Sequence, residues 1–191
     1  YFIIHNFGRL FTKWQELESG KIIIEDCAYA CTNQDEFAKK GDYVIWSLPK
    51  ALNVPKGGIL FIADRYRNKL EFSEYLSNNA IIYIKLFLFD FLCSIESILT
   101  IRRKRYEEYC SQAQKFKVKE TYKCSKYSFP AAFIFDISGL DNFEKFKSYM
   151  NQNGIESSIF YGSSSYFLPC HQYVSELEIQ YIFDRINSFG K

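Results

Sequence analysis

KIIIEDCAYACTNQDEFAKKGDYVIWSLPKALNVPKGGIL, residues 21–60, is the stretch that decides how the chain is read. Its first apolar run, Ile22-Ile23-Ile24, ends on Glu25 and Asp26. A second run, Asp42 to Ser47, is followed at once by Lys50 and then by the pair Gly57-Gly58. Both runs have strand length, β-branched or aromatic content and turn residues on either side, so each predicts a β-strand. Glu25 and Asp26 are consecutive and would point to opposite faces of a strand, so they do not make a catalytic carboxylate pair.

A carboxylate and a lysine at the ends of neighbouring strands suit pyridoxal phosphate (PLP), where a lysine forms the Schiff base and an Asp partners the pyridinium nitrogen. Each residue also has an ordinary explanation. Asp26 could simply cap a helix whose first turn is Cys27-Ala28-Tyr29-Ala30, and a lone lysine after a strand is commonly a solvated loop residue. The order of the segments tips the balance: His5-Asn6-Phe7-Gly8 comes before the two runs and Gly57-Gly58 after them.

IIHNFGRL (3–10), IEDCAYA (24–30) and GDYVIWSLPKALNVPKGGIL (41–60), in that order, resemble the core of the DegT/DnrJ/StrS-type sugar aminotransferases, PLP enzymes of the aspartate aminotransferase-like fold. The resemblance covers most of the chain and is strongest in residues 1–60. It implies that Lys50 bonds the cofactor, Asp26 faces its ring nitrogen and Ser47 contacts its phosphate. Tyr29, His5 and Asn53 would lie near the ring. Tyr29 departs from the Gln or His usual in the family, the loop from Ser47 to Lys50 is two residues shorter than in most relatives, and a clean Gly-x-Asn-Tyr-Arg stretch is missing. The implied reaction moves an amino group from an amino acid such as glutamate to a nucleotide-linked keto-sugar, in aminosugar or surface-polysaccharide biosynthesis, by a cytoplasmic homodimer. Two rivals stand beside it: a non-catalytic or regulatory relative, and an unrelated small-molecule-binding α/β protein in which Lys50 is only a loop residue.

With 191 residues, 48% of them hydrophobic and 24% charged, the chain can bury a core. An aromatic fraction of 19% argues against disorder. A net charge of +2 asks for neither nucleic acid nor an anionic membrane. The cysteines at 27, 31, 93, 110, 124 and 170 show no CxxC and no framework spacing, which points to reduced thiols. Metal binding by two histidines and scattered cysteines has no support in the spacing. The chain starts at Tyr1 and its single methionine is Met150, so the expectation is the C-terminal half or so of a larger enzyme.

Three parts are expected: the C-terminal part of a PLP-binding large domain over 1–75, with a mostly parallel sheet and flanking helices; a long connecting helix over 76–118; and a small α+β domain over 119–191. Strands are expected at 2–4, 21–25, 42–47, 57–63, 131–137 and 155–161. An amphipathic helix is expected at 10–18 from Leu10, Phe11, Trp14 and Leu17, with further helices at 79–115, 141–151 and 176–189. The run from Ile81 to Leu99 is apolar nearly all round. Lys85, Asp90 and Glu96 lie in it, each costing about 2.5–3.5 kcal/mol at a membrane centre, so burial at a domain or subunit interface is the better reading. Arg102-Arg103-Lys104-Arg105 reads as a solvated helix face and Ser163-Ser164-Ser165 as a flexible loop. Cys170 and His171 are adjacent, which does not suit a nucleophile and its base.

Overall fold

A computed structural model describes residues 1–30, 38, 40–51, 54–68, 77–125, 128 and 130–190. The chain divides into two compact units, one of residues 1–99 with 125–129, the other of residues 100–124 with 130–191.

The first unit is built on a four-stranded sheet of order β1-β2-β3-β4. Strands β1 (Phe2–Ile4), β2 (Ile24–Asp26) and β3 (Tyr43–Ser47) are parallel, and β4 (Gly58–Ile62) returns antiparallel beside β3. Ile24 pairs with both Phe2 and Tyr43, so the three parallel strands end at one edge. Alternation sends Ile3, Glu25 and Val44 to the buried side. Helix α1 (Asp64–Arg67) is a single turn after β4. The long helix α2 (Asn78–Phe116) gives this unit Phe91, Ile95 and Leu99, a buried stripe four residues apart. Phe91 and Ile95 pack with Ala51, and Trp46 lies against the same cluster.

One expectation fails here. Residues 10–18 form no helix, only a 3-10 turn over Trp14–Glu16. The Phe11 amide, one of the first-turn donors that such a helix would leave without an intrahelical partner, donates to Nδ1 of His5 at 3.2 Å. In the single chain, the apolar residues of α2 away from its buried stripe are open: Leu86 is 66% and Phe89 71% exposed.

In the second unit, β5 (Ala132–Asp136), β6 (Ser158–Phe160) and β7 (Ser165–Pro169) form an antiparallel sheet of order β5-β7-β6. The segment read as a serine loop thus opens the central strand: Ser165 pairs with both Asp136 and Phe160. Helices α3 (Phe143–Gln152) and α4 (Glu176–Ser188) and the C-terminal part of α2 belong to this unit. Its core is largely aromatic, with Tyr109 stacked on Phe133 and Phe146 edge-on to Tyr166. Both shorter helices begin on sequence-coded caps. Asn142 accepts from the Lys145 amide, and Ser175 and Glu178 form a reciprocal capping box.

The basic cluster is not a uniformly solvated face. Arg102 is buried, with its Nε donating to Gln172 at 3.0 Å, while Lys104 and Arg105 pair with Glu108 and Glu176. Among the described residues no helix is long and apolar enough to cross a membrane.

Candidate functional site

The carboxyl edge of β1, β2 and β3 gathers most of the residues singled out in the sequence. His5 follows β1, Asp26 closes β2, Ser47 closes β3, and Lys50 sits on the 3-10 turn Leu48–Lys50 that follows directly. In open α/β sheets this edge is where ligands bind. The ladder extends past the strands, with the His5 amide donating to the Asp26 carbonyl at 3.0 Å and the Cys27 amide to Ile45 at 2.9 Å. The turn carrying Lys50 is tied down in turn: the Leu48 amide donates to the Gly57 carbonyl at 3.1 Å. Gly57 has φ +125°, and a Cβ there would meet Ile84 at 3.1 Å and Leu48 at 3.3 Å, so the glycine permits both the backbone turn and the close packing.

His5 is not directed at a ligand. It is buried; its Nδ1 accepts from the Phe11 amide, so Nε2 carries the proton that is donated to Glu25 at 3.1 Å. Glu25 also accepts from the Lys40 amide at 2.7 Å and from the Gly41 amide. Burial alone would push its pKa up, but the His5 hydrogen bond and the two amides outweigh that and hold it below the ordinary value. A Cβ at Gly41 would come within 2.8 Å of the Tyr43 carbonyl and 3.0 Å of Glu25, so only glycine brings this amide so close. His5, Glu25 and Cys27 place ligand-type atoms within 4.8 Å of one another, yet both histidine nitrogens and both carboxylate oxygens already have protein partners. The cluster reads as an internal brace between strand β2 and its flanking loops.

Asp26 accepts from the Ala28 amide at 2.9 Å through Oδ1. The chain then closes a single turn, Ala30 donating to Cys27 at 2.8 Å, rather than the helix that a simple capping role would require. Lys50 is exposed, and its ammonium stands over the ring of Tyr29, 3.7 Å from the centroid. Phe7 lies against Tyr29, ring centroids 5.2 Å apart. Asn53 falls outside the described residues. Phe7 was missed in the sequence because Asn-Phe-Gly reads as an ordinary loop; nothing in a one-dimensional pattern marks which loop aromatic turns inward. Cys170 and His171 also prove to have separate duties. The Cys170 thiol is buried against the Arg102 carbonyl, and burial raises its pKa; His171 accepts from the Tyr173 amide.

A mostly parallel sheet followed by a long helix and a smaller α+β unit is the fold that this chain shares with solved aminotransferases. A DegT/DnrJ/EryC1/StrS aminotransferase of Brucella abortus shares it with TM-score 0.70 and 20% identity over 98% of this chain and 64% of its own. The aminotransferase TlmJ of Streptoalloteichus hindustanus aligns with TM-score 0.74 and 16% identity, again over 98% and 64%. Spr1654 of Streptococcus pneumoniae, named as a sugar aminotransferase and solved in a PMP form, gives 0.70 and 14% over 98% and 66%. The chain therefore spans about two thirds of the length of these proteins. No family model matches the chain, and no curated protein matches it in sequence.

Proposed function

We propose that the chain is the C-terminal part of a PLP-dependent aminotransferase that moves an amino group from an amino acid such as glutamate to a keto-sugar carried on a nucleotide. The placement of Lys50 carries this reading: an exposed primary amine held at the carboxyl edge of a parallel sheet, with Asp26 at the end of the next strand. The residues present fit the cofactor, because an accessible amine and a carboxylate are the two groups its aldehyde and ring nitrogen ask for. PLP supplies an aldehyde that bonds amines and a ring that takes up an electron pair. Lys50 offers the amine that bonds it and, once displaced, a base that carries a proton on Nζ. The Asp26 carboxylate favours a proton on a nitrogen facing it. Ser47, half-buried at the strand end, has a hydroxyl to donate to phosphate. His5 fixes the edge through Glu25 rather than touching the ring. A homodimer in the cytoplasm, working in aminosugar or surface-polysaccharide biosynthesis, goes with this reading.

The test is absorbance of the protein with added PLP, then borohydride reduction and peptide mapping. A visible band and a pyridoxyl group on Lys50, both lost in Lys50→Ala, support the proposal. No band, and no loss of ligand or fold in Lys50→Ala, would leave a binding protein. Cofactor bonded to Lys50 without amino transfer from any donor would favour a non-catalytic relative, a reading that the tyrosine at position 29 keeps in view.

A further inference from the structure

We propose that Tyr29 is a positioning residue whose ring face, rather than its hydroxyl, seats the Lys50 ammonium while that amine is not bonded to the cofactor. The inference rests on the reading of Lys50 given above and deepens it. Three observations carry it. Nζ of Lys50 lies 3.7 Å from the centroid of the Tyr29 ring, well inside the range of about 6 Å over which a ring attracts a cation. The ring also has an aromatic neighbour: Phe7 lies against it at 5.2 Å and 39°. Phe7 is itself buried, and it adopts φ 52°, ψ 32°, a left-handed conformation that a bulky residue takes only when its surroundings impose it.

Lys50 sits on a short turn at the exposed end of a flexible four-carbon stem, so an unbonded amine would sample a wide volume. A ring face restricts that volume in a particular way. The quadrupole attracts only the charged amine. A carboxylate in the same place would also accept a hydrogen bond and bind the ammonium more tightly, and a Gln or His side chain would compete through a hydrogen-bonding group. Tyr29 therefore holds Lys50 when it is protonated and lets it go when it is neutral and able to bond an aldehyde, with water as the leaving group. Because the seat stabilises the unbonded form, its removal should favour the bonded one. Damage to the fold would do the reverse.

The experiment compares the full wild-type chain with Tyr29→Phe and Tyr29→Leu. First, NMR of lysine labelled with carbon-13 at Cε is recorded without cofactor, the Lys50 signal being assigned from its absence in Lys50→Ala. Its Hε protons should lie upfield of the other lysines in the wild type and in Tyr29→Phe, and join them in Tyr29→Leu. Second, the fraction of Lys50 trapped by borohydride is measured at subsaturating PLP. Relative to wild type, the apparent affinity for the trapped adduct should rise about two- to fivefold in Tyr29→Leu and change less than about twofold in Tyr29→Phe. A Lys50 signal without ring shift in the wild type overturns the proposal. So does equal loss of the shift in both variants, which would make the hydroxyl the contact, or a fall in trapping in Tyr29→Leu. If the wild type forms no adduct at saturating PLP, the aminotransferase reading fails, while the ring shift still decides the seat.

Discussion

The two units differ in what they bury. The first buries His5, Glu25 and Asp42 and leaves Ile82, Leu86, Phe89 and Leu92 open to solvent. The second closes an aromatic core over Tyr109, Phe133, Phe146, Tyr166 and Phe183, buries the single charge of Arg102, and pairs others at its surface, such as Lys104 with Glu176. Buried charge is costly unless it is paired and hydrogen-bonded, and each Asp42 oxygen has a partner: one accepts from the Ile23 amide at 2.9 Å, the other from Arg65. The contrast separates two uses of sequence. The second unit spends its residues on a continuous core, the first on holding one sheet edge in a fixed shape.

The comparison can be broken most directly through the core. Phe183→Ala should destabilise the second unit by about 3–5 kcal/mol, read as a lower guanidinium midpoint, because Phe183 packs against Tyr109, Phe116 and Phe133. A cost near zero would mean that the rings are not tightly packed. Glu25→Gln should cost about 1–3 kcal/mol, since amides and an imidazole proton lose their carboxylate. The same variant sharpens the electrostatic half of the contrast. The folded pKa of Glu25 lies below its ordinary 4.5, so its contribution is full above that value and is lost as the pH falls through the folded pKa. Stability of the wild type should therefore decline below about pH 4.5 more steeply than that of Glu25→Gln; parallel pH profiles would contradict the assignment. Ser175→Ala removes one half of the α4 capping box and should cost about 1 kcal/mol. The smallest effect belongs to Phe89→Ser, expected within about 0.5 kcal/mol because that side chain is exposed. A loss of about 2 kcal/mol there would show the face to be covered in solution.

Much of this was legible before any coordinates. β1, β2, β3 and β4 fall on the apolar runs, and α3 and α4 on the expected helical stretches, because there local sequence and tertiary role agree. The convergence of His5, Asp26, Ser47 and Lys50 on one edge followed from three parallel strands. What was hidden depended on contacts between distant residues. Leu10 to Leu17 has helical spacing, but only Trp14–Glu16 closes a turn there. Ser163-Ser164-Ser165 reads as a loop, while Ser165 is held between Asp136 and Phe160; the alternation of Tyr166 and Leu168 toward the core was the signal that could have revealed β7. The contact of Phe7 with Tyr29 had no signal at all.

The positions of the two tryptophans provide a built-in optical division of the molecule. Trp14 lies 6.3 Å from the His5 ring with Lys40 over its face, and Trp46 touches both apolar clusters of the first unit; the second unit contains none. Indole emission therefore reports on the sheet edge alone, with Trp14 sensing the charge around His5 and Trp46 the packing beneath it, while tyrosine absorbance follows the rest.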